Sequence, residues 1–267
     1  MIRKRSCFSI IVFVICFSGQ LFADSGDSLI NRGHIEKKDR KFRVKIELKR
    51  EFTNRGTPEE TTKTSLRTDF LLHGVVTLIR LEIPFPDQTS DFEGSLFNPG
   101  LGDIKTRVGF RAFRLGIPIA SFIELTFPTA SPSDLGTGKY QCSPGLRTSI
   151  RLSKPDSVPQ KNKFTFDVQV QQVFSYAGDT SRKDINYTKF EISFRYTWNK
   201  KVWLKLAVKP VLDWEQSCST GAVMEFEPGW YISRHWSIWI LGGMRLWGSS
   251  IPSTYDKRLT IGAAFSF

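Results

Sequence analysis

Long apolar runs are nearly missing from this 267-residue chain. Cys7 to Phe17 is apolar but too short to cross a bilayer as a helix, which takes roughly 20 residues. Phe70 to Ile79 and Trp236 to Met244 reach about half that length, and His73 interrupts the first. A helical membrane protein is therefore excluded. Histidine is scarce too, with His34, His73 and His235 the whole set. No metal-ligand spacing, phosphate-cradling glycine loop or Cys/His pair occurs, so no metal and no other cofactor is expected. Gly136-Thr137-Gly138 is a lone glycine pair and signals a turn. Linkers rich in proline and serine are lacking as well, which favours one domain.

What is present begins with Arg3, Lys4 and Arg5, the apolar stretch, and a small-residue site reached through Ser18 and Gly19 at Ala23. That pattern predicts a signal peptide over 1–23, cleaved near Ala23. Cys16 does not read as a lipid-attachment site, because bulky Ile15 precedes it where small residues are needed. The formal charge of +12 falls to +9 when the three leading cations leave. Such a surplus suits nucleic acid, anionic headgroups or an anion pathway, and export makes nucleic acid the poorest fit. Of four cysteines, Cys142 and Cys218 remain after cleavage, and an oxidising compartment makes a disulfide between them an expectation.

From Lys41 onward, segments of about ten residues alternate apolar with polar, the period of a β-strand. Phe42, Val44, Ile46 and Leu48 alternate with Arg43, Lys45, Glu47 and Lys49; Phe190, Ile192, Phe194, Tyr196 and Trp198 alternate with Glu191, Ser193, Arg195 and Thr197. The pattern predicts twelve strands, within a range of 10–14, at 41–52, 64–72, 75–83, 102–113, 117–127, 144–153, 163–176, 186–198, 201–213, 220–232, 236–247 and 255–267. Pro210 and Pro228 fall inside two of them, where bulges or early ends are expected. Alternation also suits a soluble sandwich, whose apolar face points inward. Three features favour an antiparallel transmembrane barrel, fold class all-β. The chain ends on Phe267 in register with the apolar face; Trp198, Trp230, Trp236 and Trp247 sit near strand ends; and short turns alternate with longer loops rich in Gly, Pro, Ser and Asp. The expected layout is a signal peptide at 1–23, a periplasmic segment at 24–40 and an outer-membrane barrel at 41–267.

If the apolar set faces lipid, the lumen receives more bases than acids, which biases a pore towards anions. The selectivity candidates are Arg107, Arg111, Arg147, Arg151, Arg195, Lys205, Lys209 and Arg245, with Glu225 and Glu227. Cross-strand pairing is the competing account, since Lys205 and Lys209 precede Glu225 and Glu227 by one strand. All three histidines fall on the periplasmic side, away from the outer edge where a barrel hydrolase would need one.

Several short motifs recur at strand ends: Pro99-Gly100-Leu101-Gly102-Asp103, Pro128-Thr129, Leu135-Gly136-Thr137-Gly138, Ser175-Tyr176-Ala177-Gly178 and Asp184-Ile185-Asn186. In these the chain resembles the phenol-degradation meta-pathway-like family of outer-membrane transporter barrels, which implies transport, in several members of aromatic or other hydrophobic compounds. The charged lumen departs from a hydrophobic-substrate channel. The expectation is a monomeric bacterial outer-membrane channel for a small solute, with no enzymatic activity. The loops from Pro84 to Leu101 and from Pro128 to Ser143 would narrow it. Its partners would be outer-membrane lipid and, through Phe267, the barrel-assembly machinery. A non-conducting structural or adhesive barrel and, third, a lipid-modifying barrel enzyme are the alternatives.

Overall fold

The structure, a computed structural model, describes residues 42–55, 57, 59–87, 99–111, 113–115, 117–152 and 162–267. The expected signal peptide and 24–40 segment lie outside these residues. The strands are β1 (Phe42–Thr53), β2 (Thr61–Leu72), β3 (Val76–Pro86), β4 (Ile104–Phe110), β5 (Phe113–Leu115), β6 (Ile117–Phe127), β7 (Lys139–Arg151), β8 (Lys163–Gly178), β9 (Asn186–Trp198), β10 (Val202–Asp213), β11 (Ser219–Tyr231), β12 (Trp236–Trp247) and β13 (Lys257–Ser266). Apart from β4 and β5, which do not pair with each other, each pairs antiparallel with its sequence neighbour; β1 pairs with β13, and β4 and β5 both pair with β6. Through the β1–β13 and β4–β6 pairings the sheet closes on itself, as a wall in hydrocarbon requires. β4 and β5 are halves of one strand, both laid against β6. From Gly109 to Phe113 is four residues, whereas their partners Phe122 and Ile119 are three apart, so the register slips by one at the break. Counted so, this is a closed barrel of twelve antiparallel strands.

The period of two decides which way the barrel turns its side chains. On β9, Phe190, Ile192, Phe194, Tyr196 and Trp198 are 39–58% exposed, while Ser193 between them is buried. Inward positions elsewhere hold buried Glu47, Asp69, Gln171 and Glu225. A soluble barrel has the opposite arrangement; apolar outside and polar inside is what hydrocarbon demands. Trp198, Trp230 and Trp236 form an exposed aromatic ring at one end, joined by Phe265, whose ring lies 4.8 Å from Trp236 and 4.7 Å from Phe267.

That end carries the short turns. Asn199 and Lys200, both at positive φ, close β9 to β10 with a Lys201 N–H to Trp198 carbonyl bond of 3.0 Å, the two-residue hairpin whose twist matches the strands. His73 to Val75 separates β2 from β3, so the hairpin expected at His73-Gly74 is present. The opposite, loop end carries the connections from β1 to β2, β3 to β4, β6 to β7, β8 to β9, β10 to β11 and β12 to β13.

Two local expectations are corrected. Pro210 and Pro228 produce no bulge: each interrupts one ladder, β9 to β10 and β11 to β12, and the register resumes unshifted beyond it. The shift in β11 lies instead between Ala222 and Val223. In addition, β7 begins at Lys139 rather than at 144, because its early residues pair with Gly178, Ala177 and Ser175 of the long strand β8.

Inside the wall, large aromatic rings lie over glycines directly opposite on the next strand. Trp203 covers Gly229, Trp239 covers Gly262 and Phe122 covers Gly145. A Cβ on those glycines would sit 2.0, 2.3 and 2.3 Å from the ring. The missing side chain is what lets each ring lie flat against the wall.

Candidate functional site

The candidate site is the barrel interior with its loop-end mouth. Because neighbouring strands are in register, charges meet opposite charges two residues along the same strand or one or two strands away. Glu47 accepts from Lys45 at 2.7 Å and Arg67 at 2.5 Å, Asp69 from Arg80 at 2.7 Å, and Glu82 pairs with Lys49 at 3.1 Å. Arg107 binds Glu124 at 2.6 Å and stacks over Phe122, 4.3 Å from the ring centre. Across the barrel, Glu191 pairs with Lys205 at 2.6 Å and reaches Lys209 at 3.9 Å. Glu225 pairs with Lys209, and accepts from the Tyr255 hydroxyl at 2.6 Å. Glu227 takes Arg195 at 3.3 Å and the Trp203 indole N–H at 2.9 Å.

The candidates named from sequence are thus distributed and form no single ring. Lys205, Lys209 and Glu225 come together through Glu191; Arg195 joins Glu227; Arg107 is held by Glu124. Lys205 chooses Glu191 on β9 rather than the expected partner on β11. Arg147 is 56% exposed and touches Asp167 at 3.4 Å. Arg111 follows β4, and Arg151 ends β7, so both sit at the turn end, while Arg245 pairs with Asp256 at 2.7 Å at the loop end.

Cys142 and Cys218 are free thiols, which corrects the expected disulfide. The early start of β7 puts Cys142 in the strand, paired with Leu125 and Phe174, not in a loop. Cys218 lies in the β10–β11 turn at positive φ.

The short motifs that carry the family resemblance converge on one stretch of the loop-end rim. Asp103 accepts the Thr137 N–H at 2.6 Å and the Thr137 hydroxyl at 2.8 Å. Thr129 donates to the Gly102 carbonyl and accepts the Ile104 N–H, both at 3.0 Å. The Arg182 guanidinium donates to the carbonyls of Gly136 and Ser133, each at 3.0 Å. Gly178, at φ 122°, passes so close to Gly138 that a Cβ would meet its carbonyl oxygen at 2.4 Å. Lys139 binds Asp184 at 2.9 Å, and that ammonium holds the Asp184 carboxyl below the usual carboxylate range. The link therefore stands at neutral pH and is lost only as pH falls through that lowered value. These residues bind one another, so the 128–138 loop is tied to the rim.

The loop that turns inward is 248–256, between β12 and β13. Ile251 and Tyr255 are buried, and Ile251 and Thr254 pack over Gly221. Burial and the adjacent Glu225 carboxylate raise the Tyr255 hydroxyl above its usual range, so it remains a donor. Asn54, after β1, accepts the N–H groups of Asp256 and Lys257 at 2.7 and 3.2 Å. Most tellingly, the Ser253 hydroxyl donates to the Tyr187 hydroxyl on β9 at 3.2 Å, spanning the ends of β10 and β11. Neither this loop nor Tyr187 nor Lys189 was singled out in the sequence. Tyr187 and Lys189 share the parity of Glu191, which could have marked them.

The architecture is that of the outer-membrane β-barrels. Neither a family model nor a curated protein matches the chain. Among solved structures, the NanC porin aligns at TM-score 0.58 and 10% identity over 82% of this chain and 98% of its own. The KdgM porin in complex with disordered oligogalacturonate aligns at 0.56 and 11%, over 84% and 99%. An outer membrane channel from Pseudomonas putida F1 aligns at 0.55 and 11%, over 85% and 95%. At such identities the likeness is one of fold.

Proposed function

We propose that the chain is an outer-membrane channel that passes small solutes by passive diffusion and favours anions. The observation that carries this reading is the inversion of the barrel, apolar outside and charged within. A wall of that kind is stable in lipid and offers water a polar path. The surplus of lumen bases over acids supports the anion preference. The solved barrels of like fold are porins and a channel, one of them bound to oligogalacturonate. In this reading the short-turn end faces the periplasm, residues 1–23 are removed on export, and Phe267 presents the assembly signal. The resemblance to the phenol-degradation meta-pathway-like family belongs to the same proposal, although ion pairs are poor company for an aromatic solute.

A non-conducting structural barrel is the second reading, favoured by the extent of ion pairing and by the inward loop. Single-channel recording of the refolded mature protein under a salt gradient separates the two. The channel reading expects steady conductance and a reversal potential on the anion side, reduced when Arg107 and Arg195 are changed to Gln. A folded barrel that never conducts would overturn it.

A further inference from the structure

Once the ion pairs of the interior are assigned, two lysines near the mouth are left over. Lys105 on β4 and Lys189 on β9 share the inward parity, and among the described residues neither meets a carboxylate at ion-pair distance. The carboxylates beside them are engaged elsewhere. Glu82, in register with Lys105, pairs with Lys49 at 3.1 Å. Glu124 takes Arg107 on one oxygen at 2.6 Å and the Gln171 amide on the other at 3.3 Å. Gln171, in register with Lys189, is wholly buried and its Oε1 has no hydrogen-bond partner among the described residues.

Although β4 and β9 are separated by three strands of wall, Lys105 and Lys189 lie within electrostatic range of each other and of Glu124, and Arg107 and Lys209 add to the positive field. Tyr187 stands one inward position nearer the mouth. Its hydroxyl accepts from Ser253 at 3.2 Å, which leaves its own proton free to donate. The two lysines therefore lie on the strand positions just below the 248–256 loop, which reaches Tyr187 through Ser253. Three cations, Arg107, Lys189 and Lys105, share the one carboxylate of Glu124, so the cluster keeps a positive surplus whose like charges repel. A partner from solution removes that cost.

We propose that Lys105 and Lys189 form a binding station for a small oxyanion, the carboxylate or phosphate group of a passing solute, just inside the loop-end mouth. Donors arriving from two strands, with Tyr187 above, suit a group with several acceptor oxygens better than a monatomic anion. Conduction needs such a station to be weak enough to leave. The proposal rests on the channel reading but is separable from it.

The test is the full mature chain in a planar bilayer in potassium chloride, with succinate or phosphate added at the loop end. The station expects concentration-dependent block by one or both anions, weakened at least tenfold in K105Q and K189Q and kept in K105R and K189R. Steady chloride conductance with no block, or with block unchanged in the Gln variants, overturns the station and leaves the channel standing. If the folded barrel does not conduct, the channel reading falls and calorimetric titration of the same anions in detergent decides the station. Binding weakened tenfold in the Gln variants supports it, and equal or absent binding overturns it.

Discussion

Gly229 illustrates how much the wall depends on single atoms. A Cβ there would lie 2.0 Å from the Trp203 ring, and moving that ring also disturbs its 2.9 Å bond to Glu227. Gly229→Val is expected to destabilise the barrel by about 1–3 kcal/mol, the usual cost of overpacking, read as a lower urea midpoint of the refolded protein. Gly242→Val is the comparison: nothing lies within 4 Å of its Cβ position, and the midpoint should stay put. Equal effects would show that the rings do not fix the wall. Neither contact could be seen in the sequence, where the two glycines look alike; the difference is which face of the sheet each occupies and what stands opposite.

Among the elements, the rim segment built from 99–103, 128–138 and 179–185 is the most interlocked. Asp103 is its pivot, since two donors of Thr137 converge on one oxygen. Asp103→Ala should cost about 2 kcal/mol, roughly thirtyfold in the opening of the 128–138 loop. Limited proteolysis within that loop would report it; an unchanged cleavage rate would mean that Arg182 and Thr129 suffice. The strands themselves were legible because alternation is a backbone property that side-chain chemistry exposes directly. β9 and β12 begin and end where the pattern says. β7 did not, since Tyr140 and Cys142 precede Pro144 and Gly145, and a proline and a glycine read as a loop when only pairing with β8 shows the strand. The rim contacts were legible only as motifs, because partners such as Asp103 and Thr137 are 34 residues apart.

For the whole molecule, the proposed channel makes the inward 248–256 loop the first place to test for its narrowest point. Removing 249–254 and closing the gap with glycines should raise single-channel conductance several-fold if the 248–256 loop is the narrowest point. No change would place the constriction deeper, among the Arg107 and Lys209 pairs. Closure and inversion of the barrel followed from alternation and loop asymmetry. The direction in which a loop folds does not follow from either, because Ser253 and Tyr187 meet only after the wall has curved.

The seam between β1 and β13 has a consequence for how the chain acquires this shape. Lys45 faces Ser266, and the Asn54 side chain bonds the backbone of Asp256 and Lys257, 202 and 203 residues away. Contacts of such sequence separation form late, because the loop they close must first surrender its entropy. Until the last strand arrives, β1 and β12 both offer bare edges with apolar faces, an invitation to join other chains. The seam is therefore the slow step of assembly and the place where a helper that caps strand edges would matter most.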